Sequence, residues 1–313
     1  MSLALLLAAL PVLYWEQPPA TAPMVKQSGI ERLRVPPDKV AGWKAAGLDA
    51  SALADAEREG RTELKAPGLV GRADAASATR RPWIDANGWR YRREPKARFI
   101  ETAPKDMAVL AAAEAFAYGA DLVLAVHPAD LAAFGESLHF LRGVPTLDAP
   151  DVADVGVVDD GSPLAGEVMN LLSRRNLLFR PLARPDNALP VVVQLGTQEY
   201  PESEAANPDA LALKIRSRLG DERRSLRVYG SEIVIARFTG NAERRRLQLL
   251  NYGGRTIQGL RVRLRGRWTP GSALVLPRGS AAVEDPQLED DATEFTLPAL
   301  GPYALVDLMT AAR

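Results

Sequence analysis

The hydrophobic pattern changes its period at about residue 223, and that change constrains the fold more than anything else in the chain. Beyond it, segments 231–238 (SEIVIARF), 245–250 (RRLQLL), 260–265 (LRVRLR), 273–276 (ALVL), 293–297 (TEFTL) and 303–308 (YALVDL) alternate or run apolar between glycines, prolines and acidic turns. Short strands at such spacing predict a C-terminal antiparallel β-sandwich over 223–313. Before the change, apolar residues come in unbroken runs separated by helical stretches. Residues 155–158 (VGVV), a helix over 164–175, and runs at 177–182 and 190–195 predict a parallel α/β unit over 152–222.

The first 147 residues alternate strand-like and helix-like pieces and read as a partial β/α barrel-like domain. Strands are expected at 30–35, 62–66, 81–91, 98–102 and 122–126, with a loop over 68–79. Helices are expected at 39–46 with Asp38 as cap, at 50–59, at 104–118 closed by Gly119, and at 128–142. A Pro- and Asp-rich linker, 144–154, closes the region. The fold class is therefore α/β plus all-β. Residues 1–15 carry no charge and are too short for a membrane span, which takes about 20 residues. They read either as an export segment, which would make the protein secreted or periplasmic, or in part as a first buried strand at 11–15. The alternative location is the cytoplasm.

Composition narrows the chemistry. Hydrophobic residues at 47% and charged residues at 25% give an ordinary globular balance and argue against disorder. No Cys is present, which removes disulfides, thiolate metal sites and a catalytic thiol. Two His in 313 residues leave no basis for a histidine metal centre, so no metal and no cofactor are expected. The 39 basic residues equal the 39 acidic ones, which argues against a nucleic-acid partner, whose affinity comes largely from phosphate neutralisation. Carboxylates remain as the carriers of any reaction.

Several charged motifs have ordinary structural explanations. Arg261, Arg263, Arg265 and Arg267 alternate along one strand and read, with Arg244–Arg246, as a solvated sheet face opposite acidic neighbours. Asp159-Asp160-Gly161-Ser162 follows a buried strand, where open α/β sheets bind ligands, but Ser162-Pro163 reads foremost as a helix cap and first turn. His139 reads as packed on a helix. His127, at the end of a strand, is kept as a substrate contact.

Glycoside cleavage needs two carboxyl groups across one bond, about 5 Å apart for retention and about 6.5–9.5 Å for inversion. Glu16, Asp85 and Glu101 each stand at or near a predicted strand end and are the candidate catalytic acids. Trp15, Trp83, Asn87, Trp89 and Tyr91 lie beside them as candidate sugar contacts, since sugar C–H faces stack on aromatic rings. The competing reading makes Trp83 and Trp89 core and 85–88 a hairpin turn.

The order of modules, with Val155–Asp160 (VGVVDD), Leu247–Gly253 (LQLLNYG) and the closing FTLPALGPYALVDL, resembles multidomain glycoside hydrolases of the β-galactosidase type. That resemblance implies a barrel, here truncated or degenerate, then a flavodoxin/amidotransferase-like domain, then a C-terminal sandwich. It also implies a carbohydrate partner and homo-oligomer contacts through the amidotransferase-like domain. A non-catalytic structural relative of such an enzyme is the alternative.

Overall fold

The computed structural model describes residues 10–70, 83–289 and 291–311, which form two compact units. The uncharged residues 1–9 lie outside the described ones, as do 71–82.

The first unit holds 10–67 and 94–146 and is built on one six-stranded sheet. Its strands are β1 (Val12–Tyr14), β2 (Arg32–Val35), β3 (Asp49–Ala52), β4 (Thr62–Leu64), and, after β5 (Gly68–Val70) and β6 (Trp83–Asp85) of the second unit, β7 (Arg98–Thr102) and β8 (Asp121–Ala125). The sheet order is β3-β2-β1-β8-β7-β4, and every pairing is parallel. The last strand thus pairs with the first, Leu13 beside Leu124 and Tyr14 beside Ala125. The sheet is thus a six-stranded parallel one whose strand order runs through β1 and β8, and among the described residues β3 and β4 stand at its two edges, unpaired with each other.

Helices α1 (Ala22–Gln27), α2 (Val40–Ala45), α3 (Asp55–Glu59), then α4 (Gly88–Arg93) of the second unit, α5 (Ala108–Tyr118) and α6 (Leu131–Arg142) fill the intervals. The expected helix over 50–59 is a strand followed by a five-residue helix. Ala50, Ser51 and Ala52 pair with Leu33, Arg34 and Val35, so sheet pairing overrides alanine's helical preference there. Asp38 caps no helix: a 3-10 turn over Pro37–Lys39 precedes α2 instead. The helix expected from residue 104 begins at Ala108, because Asp106 adopts φ 70° and donates its N–H to the Asp130 carboxylate at 2.7 Å. Gly135 of α6 has no alternative, since a Cβ there would stand 1.8 Å from the Ser28 carbonyl oxygen.

The second unit, 68–93 and 147–313, includes a three-stranded parallel sheet of order β10-β9-β11, from β9 (Val155–Val158), β10 (Phe179–Leu182) and β11 (Val191–Val193). Helices α7 (Pro163–Arg174) and α8 (Pro208–Leu219) pack on it through Val168, Leu172, Leu211 and Ile215. The strand expected over 81–91 is β6 followed by α4, and this segment joins the second unit through specific bonds. Asn170 donates to the Ile84 carbonyl, Arg92 donates to that of Phe179, and Trp89 lies against Gly166.

Beyond α8 come nine antiparallel strands: β12 (Leu226–Val228), β13 (Val234–Gly240), β14 (Arg244–Asn251), β15 (Ile257–Arg265), β16 (Trp268–Leu276), β17 (Gly279–Ala281), β18 (Glu284–Leu288), β19 (Ala292–Leu300) and β20 (Tyr303–Thr310). They form two sheets, β12-β15-β19-β18 and β13-β14-β20-β16-β17. Both contribute to one apolar cluster that includes Leu247, Leu249, Val262, Leu264, Phe295 and Val306. Burial of each such side chain contributes roughly 1.5–3 kcal/mol.

Asn176, at φ 48°, ties the end of α7 to β13: its amide donates to the Val234 carbonyl and accepts from the Ala236 N–H, both at 2.8 Å. Asp151 is held between Arg237 at 2.9 Å and Arg92 at 3.2 Å. Burial pushes its carboxyl upward, but the two guanidiniums outweigh it and leave the pKa below the ordinary value. Asn176→Ala should cost about 2–4 kcal/mol in urea unfolding, from two lost buried bonds and the left-handed backbone. Asp151 stabilises the fold above its unfolded pKa, and that contribution fades as pH falls through the lower folded value. Asp151→Asn should therefore flatten the acid limb of the stability curve below about pH 4.

Candidate functional site

In the first unit, polar chemistry gathers at the carboxyl end of β1. Tyr14 and Glu16 are two residues apart and so share a face of the extended chain. Glu16 is exposed, while Tyr14 is 6% exposed, its ring buried. Helix α3 lies against this face, with the Arg58 guanidinium 5.8 Å from the Tyr14 ring centre. Burial, then the charge and hydrogen bond of Glu16, raise the Tyr14 pKa against the opposing pull of Arg58; the Asp55 carboxylate adds to the rise. The phenol therefore stays protonated. Beside it Glu57 accepts from Arg61 at 2.7 Å and stands 3.6 Å from Arg34. The bond from Arg61 is the main reason the Glu57 pKa is lowered, burial opposing it.

Glu101 does not share this setting. Ile100 of β7 joins Tyr14, Leu53 and Val123 in one apolar cluster, and side chains alternate along a strand, so Glu101 falls on the opposite sheet face, level with Leu124. It is fully enclosed there, at 0% exposure, as is Glu114 of α5. Since β1 and β7 both pair with β8, Glu16 and Glu101 stand two strand spacings apart, about 10 Å, before any offset along the strands. Trp15 is buried and donates its indole N–H to the Thr21 hydroxyl at 3.1 Å. His127 is exposed and accepts the Ala129 N–H, capping a 3-10 turn.

Asp85 belongs to the second unit, with Trp83, Asn87, Trp89 and Tyr91. It lies 3.7 Å from Arg90, which also donates to the Asn87 side chain at 2.9 Å. The segment 85–88 joins strand to helix and is not a hairpin turn. Trp83 is 5% exposed beneath the Arg174 guanidinium, Tyr91 is 3% exposed, and Trp89 contacts Arg90 and Arg93. These rings are covered by cations and core, which leaves little open face for a sugar.

The remaining charged motifs are satisfied locally. Ser162 caps α7 by accepting the Ala165 N–H, and Arg93 grips Asp159 with two bonds of 2.8 and 2.7 Å. Arg261 and Arg263 pair with Glu294, and Arg263 also with Glu222; Arg244 and Arg246 pair with Asp307. No described helix is long and apolar enough to cross a membrane, and no cluster of metal-ligand side chains occurs among the described residues. Tyr14, Asp55 and Arg58 were not singled out by sequence reasoning. The only local signal was the two-residue spacing of Tyr14 and Glu16.

No protein-family model and no curated protein matches the sequence. Solved structures do resemble it. An α-L-fucosidase, isoenzyme 2 from Paenibacillus thiaminolyticus, aligns at TM-score 0.56 and 11% identity over 88% of this chain and 71% of that one. The cold-adapted β-galactosidase from Rahnella sp. R3 aligns at TM-score 0.39 and 11% identity, over 88% and 63% of the two chains. A catalytic mutant of Gan42B, a GH42 β-galactosidase from G. stearothermophilus, aligns at 0.37 and 9%, over 95% and 59%. The chain has a glycoside-hydrolase-like fold, as its fucosidase likeness shows. The phenolate absorbance that Tyr14→Phe removes should titrate above pH 10, and Glu16→Gln should lower that midpoint.

Proposed function

We propose that the protein is a glycoside-hydrolase-like saccharide-binding protein, and that sugar binds at the carboxyl edge of the first unit's sheet. Glu16 and Asp55 would accept from sugar hydroxyls, and Arg58 would donate to them. One observation carries the choice of binding over cleavage: Glu101 is fully enclosed on the sheet face opposite Tyr14. Glu16 thus lacks Glu101, the second carboxylate that the sequence offered it for two-acid hydrolysis, and the other acid of the site, Asp55, is exposed on α3. In this reading the second unit combines a flavodoxin-like domain with a β-sandwich, which the order β10-β9-β11 and the shared core of the two antiparallel sheets support. Export and homo-oligomer contacts belong to the same proposal.

A panel of neutral oligosaccharides, assayed both for binding by calorimetry and for release of reducing ends, tests it. Saturable binding without turnover is expected, weakened about tenfold or more by Glu16→Ala, as for loss of a charged hydrogen-bond partner. Turnover abolished by Glu101→Gln would overturn it in favour of a hydrolase.

A further inference from the structure

A cavity of about 540 Å³ opens in the second unit, lined by Pro185, Val192, Gln194, Gln198, Tyr200 and Arg218, with Thr197 and Glu199 at its rim. That volume lies in the range of small-ligand sites. Its position is informative: the lining runs from β11 into the turn at that strand's carboxyl end, where open parallel sheets hold their ligands. The turn is pre-organised. Thr197 donates its hydroxyl to the Gln194 carbonyl at 2.8 Å and accepts the Tyr200 N–H at 3.2 Å, while Gly196 donates its N–H to the Tyr200 carbonyl at 3.0 Å. Helix α8 braces the wall. Lys214 bonds both Glu204 carboxylate oxygens and stands 5.0 Å from the Tyr200 ring centre, and Arg218 pairs with Glu199.

Tyr200 supplies the second observation. It is 1% exposed, yet its hydroxyl has no hydrogen-bond partner among the described residues. A buried hydroxyl without a partner costs roughly 1–3 kcal/mol, a cost that a ligand oxygen in this cavity would remove. The rest of the lining defines that ligand. Glu199 cancels the charge of Arg218, so no net positive charge awaits a phosphate. Gln194 and Gln198 are exposed amides, each offering donors and an acceptor, which suits hydroxyls that also do both.

We infer that this cavity is a second binding site, for a neutral mono- or disaccharide, distinct from the β1 edge and independent of the reading given to it. Calorimetric titration of the whole chain with galactose, fucose, xylose and lactose, and in parallel with glucose 6-phosphate and AMP, tests it. The double variant Gln194→Ala/Gln198→Ala should weaken binding of a neutral sugar about tenfold, two hydrogen bonds being lost. Tyr200→Phe should weaken it roughly fivefold without lowering the melting temperature, because the hydroxyl has no partner to lose in the free protein. Absence of saturable neutral-sugar binding, tighter binding of the phosphorylated probes, or affinities unmoved by both cavity variants would each overturn the inference.

Discussion

The first unit depends on the pairing of β1 with β8. Parallel strands cannot be joined by a hairpin, so a sheet whose first and last strands meet must be wound round by its helical connections. That register sets Tyr14 beside Ala125 and Leu13 beside Leu124, and so which residues of these two strands share a face. Glu16 sits at the sheet's carboxyl edge because β1 ends where it does. Glu101 sits on the far face because β7 is in register with β8 through Ile100 and Val123. A slip of one residue in either pairing would exchange those fates.

Much of this was legible in the sequence. Val155–Val158 and Arg98–Thr102 are strands with the bounds their apolar runs predict, and α7 starts where Ser162-Pro163 says it should. The exceptions have physical causes. Ala50-Ser51-Ala52 has no periodic signal and becomes a strand only because β2 offers a partner. Residues of β18 are all exposed and carry no hydrophobic pattern to read. The interval 83–91 alternates like a strand, but Asn87 accepts the Arg90 and Tyr91 N–H groups and turns the chain into α4.

The candidate site was less legible, for a reason of range. Spacing alone puts Glu16 and Tyr14 on one face, whereas Arg58 reaches the Tyr14 ring only through the path of α3, about 40 residues on. The aromatic residues that suggested a sugar cleft proved to be held by their neighbours: Trp15 by Thr21, Trp83 by Arg174. Carboxylate and ring near one another in sequence are compatible with a cleft and equally with a core. Only register and burial separate the two.

The pairing of β1 with β8 is open to direct measurement by amide hydrogen exchange followed by mass spectrometry. If β1 completes the sheet between β2 and β8, a peptide spanning residues 12–15 should exchange as slowly as one spanning 121–125, since both open only with the unit. Exchange of 12–15 at the rate of an unstructured terminus, with 121–125 still protected, would contradict that pairing and remove the basis for a site at Tyr14 and Glu16.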